Sequence, residues 1–351
     1  MKGTVRYLAG IAGQSGYGSK STADQVTQDY SSSLHPNLTA IVTVMCLGAT
    51  SGIGAETARV LAKRGVRVVI PARDLRKAAQ VKKNIQKEHP EAEIIVLEID
   101  LTSFASIRKF CTEFLSLDIP LNILINNAGK FSQKLEFSED KFEMTFATNY
   151  LGHFLLTELL LEKMIETARQ TGVQGRIVNV SSVIHTWVKK DNFSFNRMLQ
   201  PKHYNATQAY AQSKLANIMH TKELAKQMKA IDANVTINAV HPGIVKTGII
   251  RDHKGIITGM LNQHINIVKT VASFYSLFFI ASKLLKTTSQ GASTTCYVAL
   301  SSKTEGVTGR YFADCNESRC SMLANDDSEA HKLWKQTRAL VYKRLRVQLR
   351  P

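Results

Sequence analysis

The stretch Gly48-Ala49-Thr50-Ser51-Gly52-Ile53-Gly54 limits the possible folds of this chain more than any other part of its sequence. An apolar, β-branched run over residues 40–47 precedes it, and a run of good helix formers over residues 56–64 follows it, closed by Gly65. A strand, a glycine turn and a helix start suit a dinucleotide, because glycines let backbone N–H groups approach a pyrophosphate and the helix N-terminus offers unpaired donors. Ordinary turns also use glycine and serine, so the motif alone leaves both interpretations open.

Predicted strands and helices alternate along the chain from residue 41 onward, as a parallel sheet with helices on both faces requires. The further strands are predicted at 66–70, 94–99, 121–125, 176–181 and 235–240, and the helices at 75–87, 104–115, 141–166 and 208–228. Crossovers of this kind are nearly always right-handed, which places ligands at the carboxyl ends of the strands. We therefore predict an α/β fold of the doubly wound Rossmann class in a single domain.

Length and composition fit one such domain with an extension at each end. The chain has 351 residues, 44% of them hydrophobic, which is enough to bury a substantial core. We assign residues 39–320 to the nucleotide-binding domain and residues 325–351 to a basic C-terminal helix. The five cysteines form no Cys-x-x-Cys pair, so we predict reduced thiols and no metal site.

Residues 1–38 are rich in Gly, Ser and Thr and contain no acidic residue before Asp24. This composition favours either a flexible extension or a segment weakly similar to an organelle transit peptide. No stretch of about 18 consecutive apolar residues occurs in the chain, so we predict no transmembrane helix.

The end of the second predicted strand bears on the choice of nucleotide. Arg73 stands where an acidic residue would bind the ribose of NAD, and its guanidinium can pair with a 2′-phosphate. We therefore predict NADP(H) as the preferred cofactor. Asp74 beside it and the alternative of a solvated surface arginine keep NAD(H) open.

Two further strand ends carry candidate cofactor contacts. Asp100 follows the third strand and is suited to hydrogen-bonding an adenine amine. Asn126-Asn127-Ala128-Gly129 follows the fourth strand, where its amides and small residues can wall the ribose and lock the sheet, although any turn has a similar composition.

The candidate catalytic residues are Tyr210 and Lys214, which share one face of a predicted helix. We expect the ammonium, together with the positive nicotinamide of an oxidised cofactor, to lower the phenol pKa from about 10 and make Tyr210 an acid/base. Ser182 ends the fifth strand, where its hydroxyl can polarise a carbonyl. Asn149, on the helix over 141–166, can order a water next to Lys214, whereas we interpret His153 as a packed helix residue.

Taken together, these motifs resemble the short-chain dehydrogenase/reductase family over residues 40–314. The matching elements are Gly48-x-x-x-Gly52-Ile53-Gly54, Asn126-Asn127-Ala128-Gly129, Asn149, Ser182, Tyr210-x-x-x-Lys214 and His241-Pro242-Gly243. Residues 151–157 and 213–217 are similar to the retinol dehydrogenase branch. Residues 21–23, 146–149 and 290–300 are similar to plant members associated with the import translocon of the chloroplast inner envelope.

The resemblance implies NADPH-dependent carbonyl reduction, with Tyr210 as acid, Lys214 on the ribose, Ser182 orienting the carbonyl and Asn149 in the proton relay. The cofactor contacts that follow are Gly48, Thr50, Ser51, Gly52, Ile53, Gly54, Arg73, Asp100, Leu101, Asn127, Ala128, Gly129, Tyr210, Lys214, Pro242 and Gly243.

In two places the sequence departs from the family pattern. The family places a threonine directly before the first glycine, whereas residues 44–47 separate Thr43 from Gly48 here. Either the strand slides so that Leu47 replaces the threonine, or four residues loop out. Residues 259–275 are longer than in relatives and precede the apolar run 276–281, in the segment that covers the substrate. This run suggests a hydrophobic substrate, contact with a membrane surface or a helix packed on the core.

Three functions fit these observations. We favour an NADP(H)-dependent oxidoreductase acting on a hydrophobic small molecule. The alternative is an NADP(H)-sensing subunit of a chloroplast envelope assembly with little turnover. A C=C reductase is a weaker third, since no cysteine cluster lies near the predicted site. Resemblance places the protein peripherally on the chloroplast inner envelope, and otherwise in the cytoplasm. A homo-oligomer is compatible with the sequence.

The net charge of +17 is partly concentrated at the C-terminus. Residues 328–351 carry seven basic residues and one acidic residue, and Trp334, Val341 and Leu345 form an apolar stripe on the predicted helix. Such a helix is typical of a calmodulin target or a membrane-surface anchor, and also of a solvated terminal helix packed on its domain. Nucleic acid is a less favoured partner, because no platform of aromatic residues accompanies the charge.

Overall fold

A computed structural model describes residues 7–30, 37–44, 52–245 and 285–348, with side chains through residue 345. Its strands are β1 Thr39–Val42, β2 Arg67–Ala72, β3 Ile94–Glu98, β4 Ile123–Asn126, β5 Gly175–Val180, β6 Val235–His241, β7 Ile244–Val245, β8 Leu285–Lys286, β9 Tyr311–Ala313 and β10 Asn316–Glu317. The main sheet has the order β10-β9-β6-β5-β4-β1-β2-β3, and β7 pairs with β8 separately. Pairing in the main sheet is parallel except between β9 and β10. The strand order reverses between β1 and β4, so a ligand crevice is expected at their carboxyl ends.

Helices cover both faces of this sheet. They are α1 Ala23–Val26, α2 Ile53–Lys63, α3 Leu75–Glu88, α4 Phe104–Ser116, α5 Met144–Phe146, α6 Gly152–Thr171, α7 Phe195–Leu199, α8 Ala206–Ala230, α9 Thr288–Leu300 and α10 Asp327–Gln348. One apolar core lies between the sheet and α4, α6, α8 and α10, and a second between the sheet and α1, α2, α3 and α9. Ile41 of β1 points into the first core and its neighbours Ala40 and Val42 into the second, the period of two that a strand imposes.

This architecture confirms the predicted α/β Rossmann fold, and every predicted strand and helix overlaps an observed one. The predicted helix over 141–166 differs in one respect, because a π-helical turn at Ala147–Leu151 separates α5 from α6. We did not predict β7, β8, β9 or β10, whose two or three residues are too few to show a periodicity.

The N-terminal segment is packed on the domain over its described residues 7–30, which corrects our expectation of a flexible extension. Helix α1 begins with a capping box between Thr22 and Gln25, and Ala23 is fully buried. The Asp24 carboxylate pairs with Arg59 of α2 at 2.5 Å and with Lys63 at 2.7 Å. These contacts hold the segment against the helix that follows the glycine turn.

The C-terminal helix α10 is also packed on the domain, against helix α8. Trp334 and Val341 of the predicted apolar stripe are buried, and the Thr337 hydroxyl contacts the Tyr150 hydroxyl at 2.9 Å. The stripe is therefore part of the core, as in the packed-helix alternative, and only the cationic side of α10 faces solvent. Within the described part of the chain, no helix is long and apolar enough to cross a membrane.

Candidate active site at the carboxyl ends of the strands

Tyr210 and Lys214 lie on helix α8, four residues apart and therefore on one face. Asn205 caps this helix by accepting a hydrogen bond from the Gln208 N–H at 2.9 Å. The Lys214 side chain is almost fully buried, and its ammonium donates to the Val180 carbonyl at the end of β5, with an Nζ–O distance of 2.9 Å. The same nitrogen lies 5.6 Å from the centroid of the Tyr210 ring. The predicted pair thus meets at a strand end.

Burial perturbs both groups of this pair. It raises the pKa of Tyr210 to about 12 and lowers the pKa of Lys214 to about 8, because each charged form is poorly solvated. Within the protein alone, the ammonium does not produce the lowering that we predicted for the Tyr210 pKa, and the effect of the positive nicotinamide of an oxidised cofactor stays a prediction. The phenol is therefore protonated at neutral pH, as an ordinary tyrosine is, and holds a proton that it can donate.

Ser181 and Ser182 follow β5 and take different roles. Ser181 is buried and donates its hydroxyl to the Lys214 carbonyl at 2.7 Å, which ties the strand to helix α8. Ser182 is half-buried, and within the described part of the chain its Oγ accepts a single, long hydrogen bond, from the Ile184 N–H at 3.4 Å. The Ser182 O–H is therefore the one available as a donor to a substrate carbonyl, as predicted from its place at the strand end.

Asn149 sits in the π turn, fully buried. Its Oδ1 accepts from the Lys130 N–H at 2.6 Å, and its Nδ2 donates to the Lys130 carbonyl at 2.9 Å and to the Ser213 hydroxyl at 3.0 Å. A Cβ at Gly129 would lie 3.4 Å from the Lys214 Nζ and 3.6 Å from the Asn149 Oδ1. The backbone at Gly129 therefore faces both groups, and π turns are frequent at functional sites.

Sequence reasoning missed the role of Thr43, which joins three elements at the end of β1. The Thr43 Oγ1 accepts hydrogen bonds from the Asn127 N–H at 2.8 Å and the Ala128 N–H at 2.9 Å. It also contacts the His153 Nε2 at 3.0 Å. His153 is buried, as expected of a packed residue, and desolvation lowers its pKa to about 3.

These contacts decide between the two arrangements proposed for the extra residues. The Thr43 N–H donates to the Ile125 carbonyl at 3.1 Å, so β1 keeps its register with β4 up to this residue. The strand has therefore not slid, because Thr43 itself stands at its carboxyl end. Residues 45–51, which include the predicted contacts Gly48, Thr50 and Ser51, lie outside the described residues.

The amino end of helix α2 fits the pyrophosphate that the glycine motif predicts. Gly52 is its N-cap and makes no side-chain hydrogen bond to the helix that begins at Ile53, whereas a side chain caps each of helices α3, α4, α8 and α9. Among the described residues, no side chain caps the backbone donors of the first turn of α2, which can therefore meet a ligand. Gly54 packs so closely on the Asn127 amide that a Cβ there would collide with it.

Arg73 extends from the end of β2 with 72% of its side chain exposed, and its Nη1 lies 4.0 Å from the Asp100 Oδ2. The neighbouring Asp74 caps helix α3 by accepting from the Lys77 N–H, so its carboxylate has a structural partner. The Asp100 Oδ1 accepts from the N–H and hydroxyl of Thr102. The predicted contact Leu101 is buried in the apolar core, so only its backbone is placed to meet a cofactor.

Pro242 and Gly243 follow β6 on the same side of the sheet. Gly243 has φ +85°, and a Cβ there would lie 2.7 Å from the Lys286 Cδ. Lys286 is itself buried and pairs with Asp314 at 2.6 Å. The segment that follows, residues 246–284 with the predicted flap at 259–275 and 276–281, lies outside the described residues.

Known proteins share both the sequence and the fold of this chain. Residues 39–190 match the family model described as short chain dehydrogenase. The chain is 46% identical to "Short-chain dehydrogenase TIC 32 B, chloroplastic" of Brassica napus over 93% of its own length and 95% of that protein. The chain belongs to the short-chain dehydrogenase/reductase family. It is also 39% identical to "Retinol dehydrogenase 14" of Homo sapiens, over 85% of this chain and 86% of that protein. A solved structure of an uncharacterized protein from Mycobacterium Paratuberculosis superposes with a TM-score of 0.66 at 27% identity, covering 90% of this chain and 97% of that one.

Family membership confirms the resemblance inferred from the motifs and makes the protein an oxidoreductase that interconverts alcohols and carbonyls with NAD(P). The residues present fit that cofactor, because the uncapped helix α2, Gly243 and the partly bonded Lys214 ammonium all lie at the carboxyl ends of the strands. Among the described residues, no group of His, Cys, Asp or Glu is arranged to hold a metal ion.

Proposed function

We propose that this protein is an NADP(H)-dependent reductase that converts the carbonyl of a hydrophobic small molecule to an alcohol. The observation that carries the proposal is the Tyr210–Lys214 pair, in which a protonated phenol lies beside an ammonium at a strand end. A bound NADPH would supply the hydride. Tyr210 then donates its proton to the carbonyl oxygen while Ser182 donates a hydrogen bond to the same oxygen. Lys214 and Asn149 stand behind Tyr210 as the route by which a proton returns to it.

Tyr210→Phe tests this assignment, because it removes one hydroxyl and leaves the ring against Phe131, whose centroid lies 5.6 Å away. We expect the variant to lose turnover of aromatic and long-chain aldehydes, measured by NADPH absorbance, and to bind NADPH as the natural protein does. Retained turnover would refute Tyr210 as the proton donor. NADPH binding without turnover in the natural protein would instead favour the alternative of an NADP(H)-sensing subunit, which the relatives named TIC 32 leave open.

A hydrophobic substrate is supported by the surroundings of Tyr210. Phe131, in the loop after β4, presents an aromatic surface next to the phenol. The name of the human relative, a retinol dehydrogenase, also supports an apolar substrate. We therefore expect turnover to increase with the apolar size of the aldehyde in such a panel.

The preference for NADP(H) rests on Arg73, the exposed cation beyond β2. A charge-assisted hydrogen bond of this kind contributes about 1.5–3 kcal/mol, so Arg73→Ala should weaken NADPH binding by roughly tenfold or more and leave NADH binding unchanged. Arg76→Ala is the matched control, because Arg76 is also exposed and lies one helical turn further along. Equal affinity of the natural protein for both nucleotides, or an unchanged preference in the variant, would contradict this assignment.

A chloroplast location is supported by the relatives that are named chloroplastic, and we propose a place at the surface of the inner envelope. The buried stripe of α10 favours contact with an anionic surface through the exposed lysines and arginines over capture by calmodulin, which would need Trp334 and Val341 to leave the core. Sedimentation of the full chain with vesicles of anionic lipid, but not with neutral ones, would support the membrane surface. A shift of Trp334 emission with Ca²⁺–calmodulin would support the other partner.

A further inference from the structure

His185 is a buried residue that the chemistry described above does not use. It lies three residues after Ser182, in the 3₁₀ turn Val183–Trp187 that begins where β5 ends. Its side chain is 1% exposed, although it belongs to a short surface connection. A buried imidazole at such a place needs partners for both ring nitrogens.

Both nitrogens of His185 have such partners, and the partners fix the proton. The Nδ1 lies 2.7 Å from the Ser182 carbonyl oxygen, which can only accept, so Nδ1 carries the hydrogen. The Nε2 lies 3.1 Å from the Ser321 N–H, which can only donate, so Nε2 is unprotonated. Burial lowers the pKa of His185 and so favours this neutral form.

The ring also connects the Ser182 turn to the far edge of the sheet. Its centroid lies 5.1 Å from that of Tyr311 on β9, with the rings at 66° in an edge-to-face arrangement. Ser321 belongs to the segment that follows β10. The His185 side chain thus joins the end of β5 to two pieces of chain that are more than 120 residues further along the sequence.

Ser182 has little other support among the described residues, where its carbonyl is bonded by His185 alone, through Nδ1 and through the backbone N–H at 3.2 Å. The Ser182 Oγ receives one long hydrogen bond, and its direction is set by the main chain of the turn. We propose that His185 is a positioning residue that fixes the Ser182 carbonyl, and with it the direction of the Ser182 hydroxyl, for contact with the substrate carbonyl. This inference rests on the carbonyl reduction proposed above.

Two conservative variants separate the two hydrogen bonds of His185. In His185→Asn the amide nitrogen takes the place of Nδ1 and can still donate to the Ser182 carbonyl. In His185→Gln the amide oxygen reaches toward the place of Nε2 and can accept from Ser321, but the Ser182 carbonyl loses the short side-chain donor and keeps only the backbone N–H of residue 185, at 3.2 Å. Each variant loses one buried hydrogen bond, so a purely structural residue should give both the same loss of stability and of activity.

We expect His185→Asn to keep kcat for aldehyde reduction within a few-fold of the natural protein. His185→Gln should lower kcat about ten- to a hundredfold, the effect of misplacing a reacting group by about 1 Å. Dissociation constants for NADPH should be unchanged in both, because Ser182 faces the substrate. Equal losses of kcat in the two variants, in step with their thermal stabilities, would overturn the proposal.

A second measurement does not depend on turnover. Ring-nitrogen chemical shifts of His185 in the full chain, assigned by their loss in the asparagine variant, should show Nδ1 protonated and Nε2 bare at neutral pH. The opposite tautomer would overturn the positioning role even if aldehydes are reduced. If the natural protein reduces no aldehyde although the expected tautomer is present, the proposed function is refuted. The hydrogen bond from His185 to the Ser182 carbonyl would then still hold the turn, without a catalytic purpose.

Discussion

Thr43→Val should destabilise the protein by about 2–4 kcal/mol. The substitution keeps the shape of the side chain but removes the hydroxyl that bonds neighbouring elements just after β1. The buried Ala128 N–H would lose its acceptor, the part-buried Asn127 N–H would keep only the Ile125 carbonyl, and the His153 Nε2 would lose its partner. Leaving a buried donor without a partner costs about 1–3 kcal/mol, and an ordinary hydrogen bond contributes about 1 kcal/mol. The loss is a large part of the 5–15 kcal/mol that typically separates folded from unfolded protein.

Thr39→Val is the matched control. Thr39 lies on the same strand, is equally buried, and its Oγ1 has no hydrogen-bond partner. Replacing that hydroxyl by a methyl group should be neutral or slightly stabilising. Urea unfolding of the two variants, followed by circular dichroism, gives the two free energies directly. Similar losses in both, or a loss below about 1 kcal/mol at Thr43, would refute the role assigned to the Thr43 hydroxyl.

Two further variants address pH and backbone conformation. His220 is buried with neither ring nitrogen bonded, and burial lowers its pKa to about 4. The unfolded chain therefore binds the proton first, so the contribution of His220 to stability should be complete above pH 6.5 and fall by about 3 kcal/mol as pH drops to 4. Stability should accordingly depend less steeply on pH in His220→Phe, and equal slopes would contradict the assignment. Gly243→Ala should destabilise more than Gly172→Ala, since both glycines have positive φ but only at Gly243 would a Cβ meet another side chain, that of Lys286. Comparable melting temperatures for the two alanine variants would show that the Lys286 side chain moves aside.

The sequence was most informative where spacing and periodicity carry the signal. Tyr210 and Lys214 could be placed together because a helix brings residues four apart to one face, and Ser182 because strand ends share an edge. Thr43 could be recognised only as a departure from a family pattern, since its partners Asn127 and Ala128 lie more than 80 residues away. His185 gave no signal at all, because its two contacts depend on where a turn and Ser321 meet in space.

The N-terminal segment is a second place where the sequence did not reveal the packing. Its small, polar residues predict little apolar burial, yet Ala23 is fully enclosed and Asp24 pairs with two cations on helix α2. A composition rule averages over residues and cannot detect a few that fit one surface well.

That packing has a practical consequence for producing the protein. A chain started at the family boundary, residue 39, would lack the cover that residues 7–30 provide over helices α2 and α9. Apolar side chains on those helices would then face water, and Arg59 would lose one of its carboxylate partners. Such a shortened chain should associate with itself through the uncovered surface, so poor recovery of an apparently complete catalytic domain would reflect a missing layer rather than a failed active site.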